Sequence, residues 1–314
     1  MTSATRFCTV VCLLFALAAC TAPDDASVRE GLRVESSAGG LALMRARASI
    51  VVIPFDGPEA CFAGQYGTEM AGVGKAGRLI AWDGDPRLGR SDFVVSTVDG
   101  KPILRAHESG NEFVAVALSE AGGRFTYLRA GSPGGQAAGL YWTSFDFSQG
   151  GFVDTSEGDS PQGDWSPDGN SITYEKGGGV RIFDVPKGSS RALVEGHDPT
   201  WGPSGDRISF RAPDGRAALV TTEGAPVDWP VGAYHTLSPI RWSPDGLYVA
   251  FSEERPLHIP LVGAYYDLLV CRAADGRAVV VRKFGAGSGD LQGFYWILDY
   301  RHFCTGCKRG EPFN

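Results

Sequence analysis

The sequence predicts an all-β fold, a β-propeller of six four-stranded blades, and three observations carry that expectation. A Trp-to-Gly frame recurs along the chain, and each copy is followed by a strand of one pattern. The 43 glycines and 19 prolines of the 314 residues are spread between short apolar runs, as the turns of many strands would be.

The frame is clearest at Trp165-Ser-Pro-Asp-Gly169, Trp201-Gly-Pro-Ser-Gly205 and Trp242-Ser-Pro-Asp-Gly246. Two weaker copies stand upstream, Val73-Gly-Lys-Ala-Gly77 and Leu118-Ser-Glu-Ala-Gly122. The starts lie 45, 47, 36 and 41 residues apart, around the spacing of one propeller blade. Proline presets the φ that a type I turn wants, and glycine supplies the positive φ that follows it.

In the strand after each turn, two large residues enclose a small one: Ala81, Thr126, Thr173, Ser209 and Ala250. An amphipathic strand with one wet face would accept a long charged residue there. A small residue in all five copies predicts sheets covered on both faces, as in blades stacked around a ring. The tryptophans then supply apolar area between neighbouring blades. A second turn at Asp99-Gly100, Lys187-Gly188, Glu223-Gly224 and Asp275-Gly276 adds a second hairpin, hence four strands per blade.

The W-S-P-D-G frame with its apolar-x-aromatic strand resembles the WD40-like repeat of TolB-type propellers, over roughly residues 73 to 285. The resemblance implies six blades. The sixth would combine the Trp296 segment with strands at Leu41 to Arg45 and Ile50 to Ile53, so that the two chain ends close the ring and remove exposed edges. The α/β domain that precedes the propeller of TolB is not expected ahead of these repeats, so the resemblance is taken to cover the propeller alone.

The N-terminus sets the expected compartment. Arg6 precedes an apolar run, Phe7 to Leu17, too short for a permanent span and apt for a signal peptide. Leu17-Ala18-Ala19-Cys20 resembles the lipobox of bacterial lipoproteins, which implies cleavage before Cys20 and acylation of its thiol and new amino terminus. Each buried methylene would add about 0.8 kcal/mol to membrane anchoring. Residue Thr21 carries no retention signal for the inner membrane of a Gram-negative host, which implies the periplasmic face of the outer membrane there, or the outer face of the plasma membrane in other hosts. The expected organisation is a signal peptide at 1–19, a lipidated tether at 20–30 and a propeller at 31–314. Cys61, Cys271, Cys304 and Cys307 remain in the mature chain. Export favours a disulfide among them, with three pairings open, including a local Cys304–Cys307 loop or a link to Cys61.

The formal charge of −7 gives no footprint for phosphate backbones, so no nucleic-acid partner is expected. Gly72-Val-Gly74-Lys-Ala-Gly77 matches G-x-G-x-x-G, but it lies inside a repeat turn with no helix after it. No G-x-S-x-G elbow appears, and no catalytic residue or cofactor is assigned. His107, His197 and His235 precede repeat starts by 11, 4 and 7 residues, where linkers would bring them to one mouth of the ring. Their unequal offsets make no regular metal-ligand spacing. Asp164, Thr200 and Arg241 directly precede the three tryptophans and are expected at the channel or rim. The candidate binding residues are therefore Asp164, His197, His235 and Arg241. An apolar insertion, Arg255 to Tyr266, is either a contact surface or tucked onto its blade. The functional expectation is an envelope scaffold that binds a protein, peptide or other ligand. The alternative is a metal-assisted hydrolase working at the channel mouth.

Overall fold

The computed structural model describes residue 34 and segments 40–45, 49–55, 60–63, 69–83, 92–97, 101–107, 114–129, 137–155, 163–255, 265–284 and 291–297. The signal peptide, Cys20, the tether, the Asp99-Gly100 turn, insertion residues 256–264 and the Cys304–Cys307 pair lie outside the described residues.

The chain runs through β1 (Gly40–Arg45), β2 (Ser49–Pro54), β3 (Ala60–Ala63), β4 (Glu69–Val73), β5 (Leu79–Asp83), β6 (Asp92–Thr97) and β7 (Pro102–His107). It continues through β8 (Val114–Ser119), β9 (Arg124–Arg129), β10 (Gly139–Ser144), β11 (Gly150–Thr155), β12 (Asp164–Trp165), β13 (Ser171–Lys176), β14 (Gly179–Asp184) and β15 (Ser189–Glu195). Then come β16 (His197–Trp201), β17 (Arg207–Arg211), β18 (Ala217–Thr221), β19 (Arg241–Trp242), β20 (Tyr248–Arg255), β21 (Tyr265–Arg272), β22 (Ala278–Phe284) and β23 (Leu291–Ile297).

These strands form six sheets. Blade 1 has the order β23-β1-β2-β3, and blades 2, 3 and 4 are β4–β7, β8–β11 and β12–β15. Blade 5 is β16–β18, and blade 6 is β19–β22. The innermost strands β4, β8, β12, β16, β19 and β23 neighbour one another in turn, and β23 returns to β4. The last described strand thus pairs with the first, Trp296 standing opposite Leu41, and the ring closes through both chain ends.

The expectation of six four-stranded blades needs one correction. Five blades have four strands and blade 5 has three. After β18 the Glu223-Gly224 turn does reverse the chain, with Gly224 at φ +89°. The returning segment carries Pro226 and Pro230, which have no N–H to offer a ladder. It therefore makes only scattered bonds to β18, such as Val227 N to Leu219 O and Ala217 N to Tyr234 O, and coils into a 3-10 turn at Pro230–Ala233.

The apolar cores lie between blades. One cluster joins Phe93 of blade 2 to Val116 and Phe125 of blade 3, and another joins Leu140 of blade 3 to Trp165 and Ile172 of blade 4. The seams between blades 4 and 5, 5 and 6, and 6 and 1 are filled in the same way. Ala81, Thr126, Thr173, Ser209 and Ala250 are all fully buried, because each faces the next blade across a seam. In register they pair with Gly72, Ala117, Asp164, Thr200 and Arg241, the residues immediately before the frame's first position.

The frame turns are built as expected around proline and glycine, with Gly77, Gly169, Gly205 and Gly246 at φ between +67° and +79°. In the second copy the positive φ falls one residue later, at Gly123. Serine and aspartate complete the device. The Ser166 hydroxyl donates to Asp168 Oδ1 at 2.5 Å and accepts the Ser171 N–H at 2.9 Å. Ser243 repeats this with Asp245 and the Tyr248 N–H. One hydroxyl thus ties the turn to the first residues of the strand it launches.

Candidate binding site at the mouth of the ring

All inner strands that carry the frame end at the same side of the ring, where their turns surround a cavity of about 450 Å³. Every blade contributes to its wall. The third position of the frame forms the rim: Pro167, Pro203 and Pro244 in the strong copies, and Lys75 and Glu120 in the two that lack proline.

Lys75 reaches from blade 2 across the mouth. Its Nζ donates to Asp164 Oδ2 of blade 4 and to Trp201 O of blade 5, both at 2.7 Å. Asp164 Oδ2 also accepts the Trp201 N–H at 2.7 Å. Burial pushes the Lys75 ammonium below its ordinary pKa; the Asp164 carboxylate opposes that shift, and the Arg241 charge adds to it. Glu120 takes the N–H groups of Arg78 and Leu79 on its Oε1, at 3.1 and 3.3 Å, and burial pushes its carboxyl up.

Arg241 stands on blade 6 with its guanidinium 4.9 Å from the centre of the Tyr295 ring on blade 1. Among the described residues it has no hydrogen-bond or ion-pair partner for that group. Thr200 lines the wall too, and its buried hydroxyl has no partner.

The tryptophans position this wall. Trp165 Nε1 donates to Ala117 O at 3.1 Å, and Trp296 Nε1 to Arg241 O at 2.7 Å, each reaching the preceding blade. Trp242 Nε1 reaches Ser209 Oγ at 2.8 Å instead. Trp201 Nε1 is buried without a partner.

Of the four candidate residues read from sequence, Asp164 and Arg241 meet at this mouth and the two histidines do not. His197 begins β16, four residues before Trp201, at the opposite end of that bulged strand. Its Nδ1 lies 2.7 Å from Glu175 Oε1. His197 pairs in register with Arg211, and His235 is bridged to Arg216, so both flank the β17–β18 turn at the other end of blade 5. His107 ends β7, an outer strand. The chain enters the ring at the start of each inner strand and leaves it at the frame, so linker residues and frame residues serve opposite ends. Among the described residues, no three His, Cys, Asp or Glu side chains gather as metal ligands.

Sequence reasoning missed Lys75, Glu120, Tyr295 and their part in the wall. The signal for the first two was present in the repeat: a charged residue replaces proline at the rim position. Cys271 is a free thiol, buried in the seam between blades 5 and 6, and burial pushes it up to about 12.

No protein-family model matches the sequence, and no curated protein matches it. Solved structures do match the fold. TolB from Acinetobacter baumannii is 16% identical with a TM-score of 0.59, over 82% of this chain and 66% of that one. A structure described as a TolB from Agrobacterium tumefaciens is 14% identical with a TM-score of 0.54, over 82% of this chain and 98% of that one. The chain thus spans just under two thirds of the Acinetobacter protein, and at these identities the likeness is one of fold. By repeat frame, sheet order and likeness to solved structures, the folded body is a TolB-like β-propeller.

Proposed function

We propose that this protein is a lipid-anchored scaffold of the bacterial cell envelope that binds an envelope protein or peptide at the mouth of its ring. The observation that carries the reading is the cavity itself. Residues of all six blades line it, it is ringed by tryptophan and proline, and it carries charged groups of both signs. The TolB-like fold and the Cys20 lipobox support an envelope setting, on the periplasmic face of the outer membrane or, in a host with a single membrane, its outer face. No observation among the described residues favours the metal-assisted hydrolase.

The test is reversible cross-linking in the native host, followed by purification of the wild type and of Cys20→Ala. The reading expects wild type in the membrane fraction with a defined cross-linked partner, and the variant released with that adduct reduced. A wild type that fractionates as soluble, or that yields no adduct, contradicts it.

A further inference from the structure

We infer that the mouth recognises a carboxylate of a bound peptide, held between the Arg241 guanidinium and the Lys75 ammonium; this rests on reading the mouth as the binding site. The charges of the wall single out an anion. Lys75, Arg78 and Arg241 face Glu120 and Asp164, so the lining keeps one net positive charge on a chain whose formal net charge is −7. An acidic body with a cationic mouth draws an anionic group to that end rather than to the remaining surface.

The donors are also available. The Tyr295 ring occupies one face of the Arg241 guanidinium, and the in-plane N–H fork, which matches a carboxylate, has no partner among the described residues. Lys75 has three N–H donors and gives two of them to Trp201 O and Asp164. The third remains. Thr200, between the Asp164 and Arg241 blades, adds a buried hydroxyl without a partner in the same wall. A single net charge fits a carboxylate rather than a dianionic phosphate ester. The surrounding prolines and indoles suit a peptide chain carrying that group.

The experiment titrates purified propeller with three peptides: Ac-Ala-Glu-Ala-NH2, Ac-Ala-Ala-Ala-OH and the neutral Ac-Ala-Gln-Ala-NH2. Indole N–H shifts in heteronuclear NMR give the readout, with each Trp assigned by substitution. At least one carboxylate peptide is expected to bind tenfold or more tightly than the neutral one, moving the Trp201, Trp242 and Trp296 signals. Which one does so separates a side-chain carboxylate from a chain terminus. Arg241→Gln is expected to abolish the preference, and Arg241→Lys, a second variant that keeps the charge, to retain part of it. Equal binding of all three peptides overturns the carboxylate and leaves the mouth as a binding site. Absence of binding by any of them also overturns it, and the cross-linked partner then judges the wider reading separately. A preference unchanged in folded Arg241→Gln overturns it as well.

Discussion

At Gly169 the backbone sits at φ +72°, and a Cβ there would lie 2.6 Å from Ser119 Oγ and 2.9 Å from Gly122 Cα of the neighbouring blade. Conformation and space both demand glycine, so Gly169→Ala is expected to cost about 1–3 kcal/mol, read as a lower urea midpoint. Asp154 joins blades 3 and 4. Burial pushes its carboxyl up, but the Lys176 ammonium and the Tyr174 hydroxyl, 2.8 Å away, outweigh that and hold its pKa below the ordinary value. A depressed folded pKa stabilises above the unfolded value of about 3.9 and loses that contribution as pH falls through the folded value. Asp154→Asn should therefore be less stable than wild type at pH 7, with the gap narrowing as the pH falls below the unfolded value and through the depressed folded one. Cys271 is expected to resist alkylation at pH 8 in the native protein and to react once unfolded, as peptide mass mapping would show, because only the thiolate attacks and burial withholds it. Labelling of Cys271 in the native state contradicts its place in the seam.

Among the strands, β23 carries the closure of the ring. Trp296 is 3% exposed, packs 5.6 Å from the Phe55 ring and bonds to Arg241 O, so one side chain ties blade 1 to blade 6. Trp296→Ala should cost about 3–5 kcal/mol and lower the unfolding midpoint of the whole domain rather than of one blade. The tryptophan and its pairing with the N-terminal strands were readable, since Trp296 keeps the aromatic position of the frame. The outermost strand of that blade, β3, was not, because Ala60 to Ala63 carries no turn frame or period of its own. The missing fourth strand of blade 5 was likewise hidden: Glu223-Gly224 reads as an ordinary hairpin signal, and it is the prolines after it that deny the ladder its donors.

For the molecule as a whole, the repeat determined the ring but only half of the site. Residues inside the frame keep a fixed phase with the ring, so Asp164 and Arg241 could be placed at the mouth from their neighbours Trp165 and Trp242. The histidines lie in linkers of unequal length, where no phase survives, and they fall at the other end. Lys75 bridges three blades, a relation set by the circle and invisible along the chain. The central claim is that the frame side of this ring, and not the side of the β17–β18 turn, receives the partner. It is tested most directly by placing a photo-crosslinking amino acid at Pro203 or Pro244 on the rim and at Pro213 in that turn, then irradiating living cells. The account predicts one shared adduct from both rim positions and none from Pro213. An adduct from Pro213 with none from the rim would contradict it.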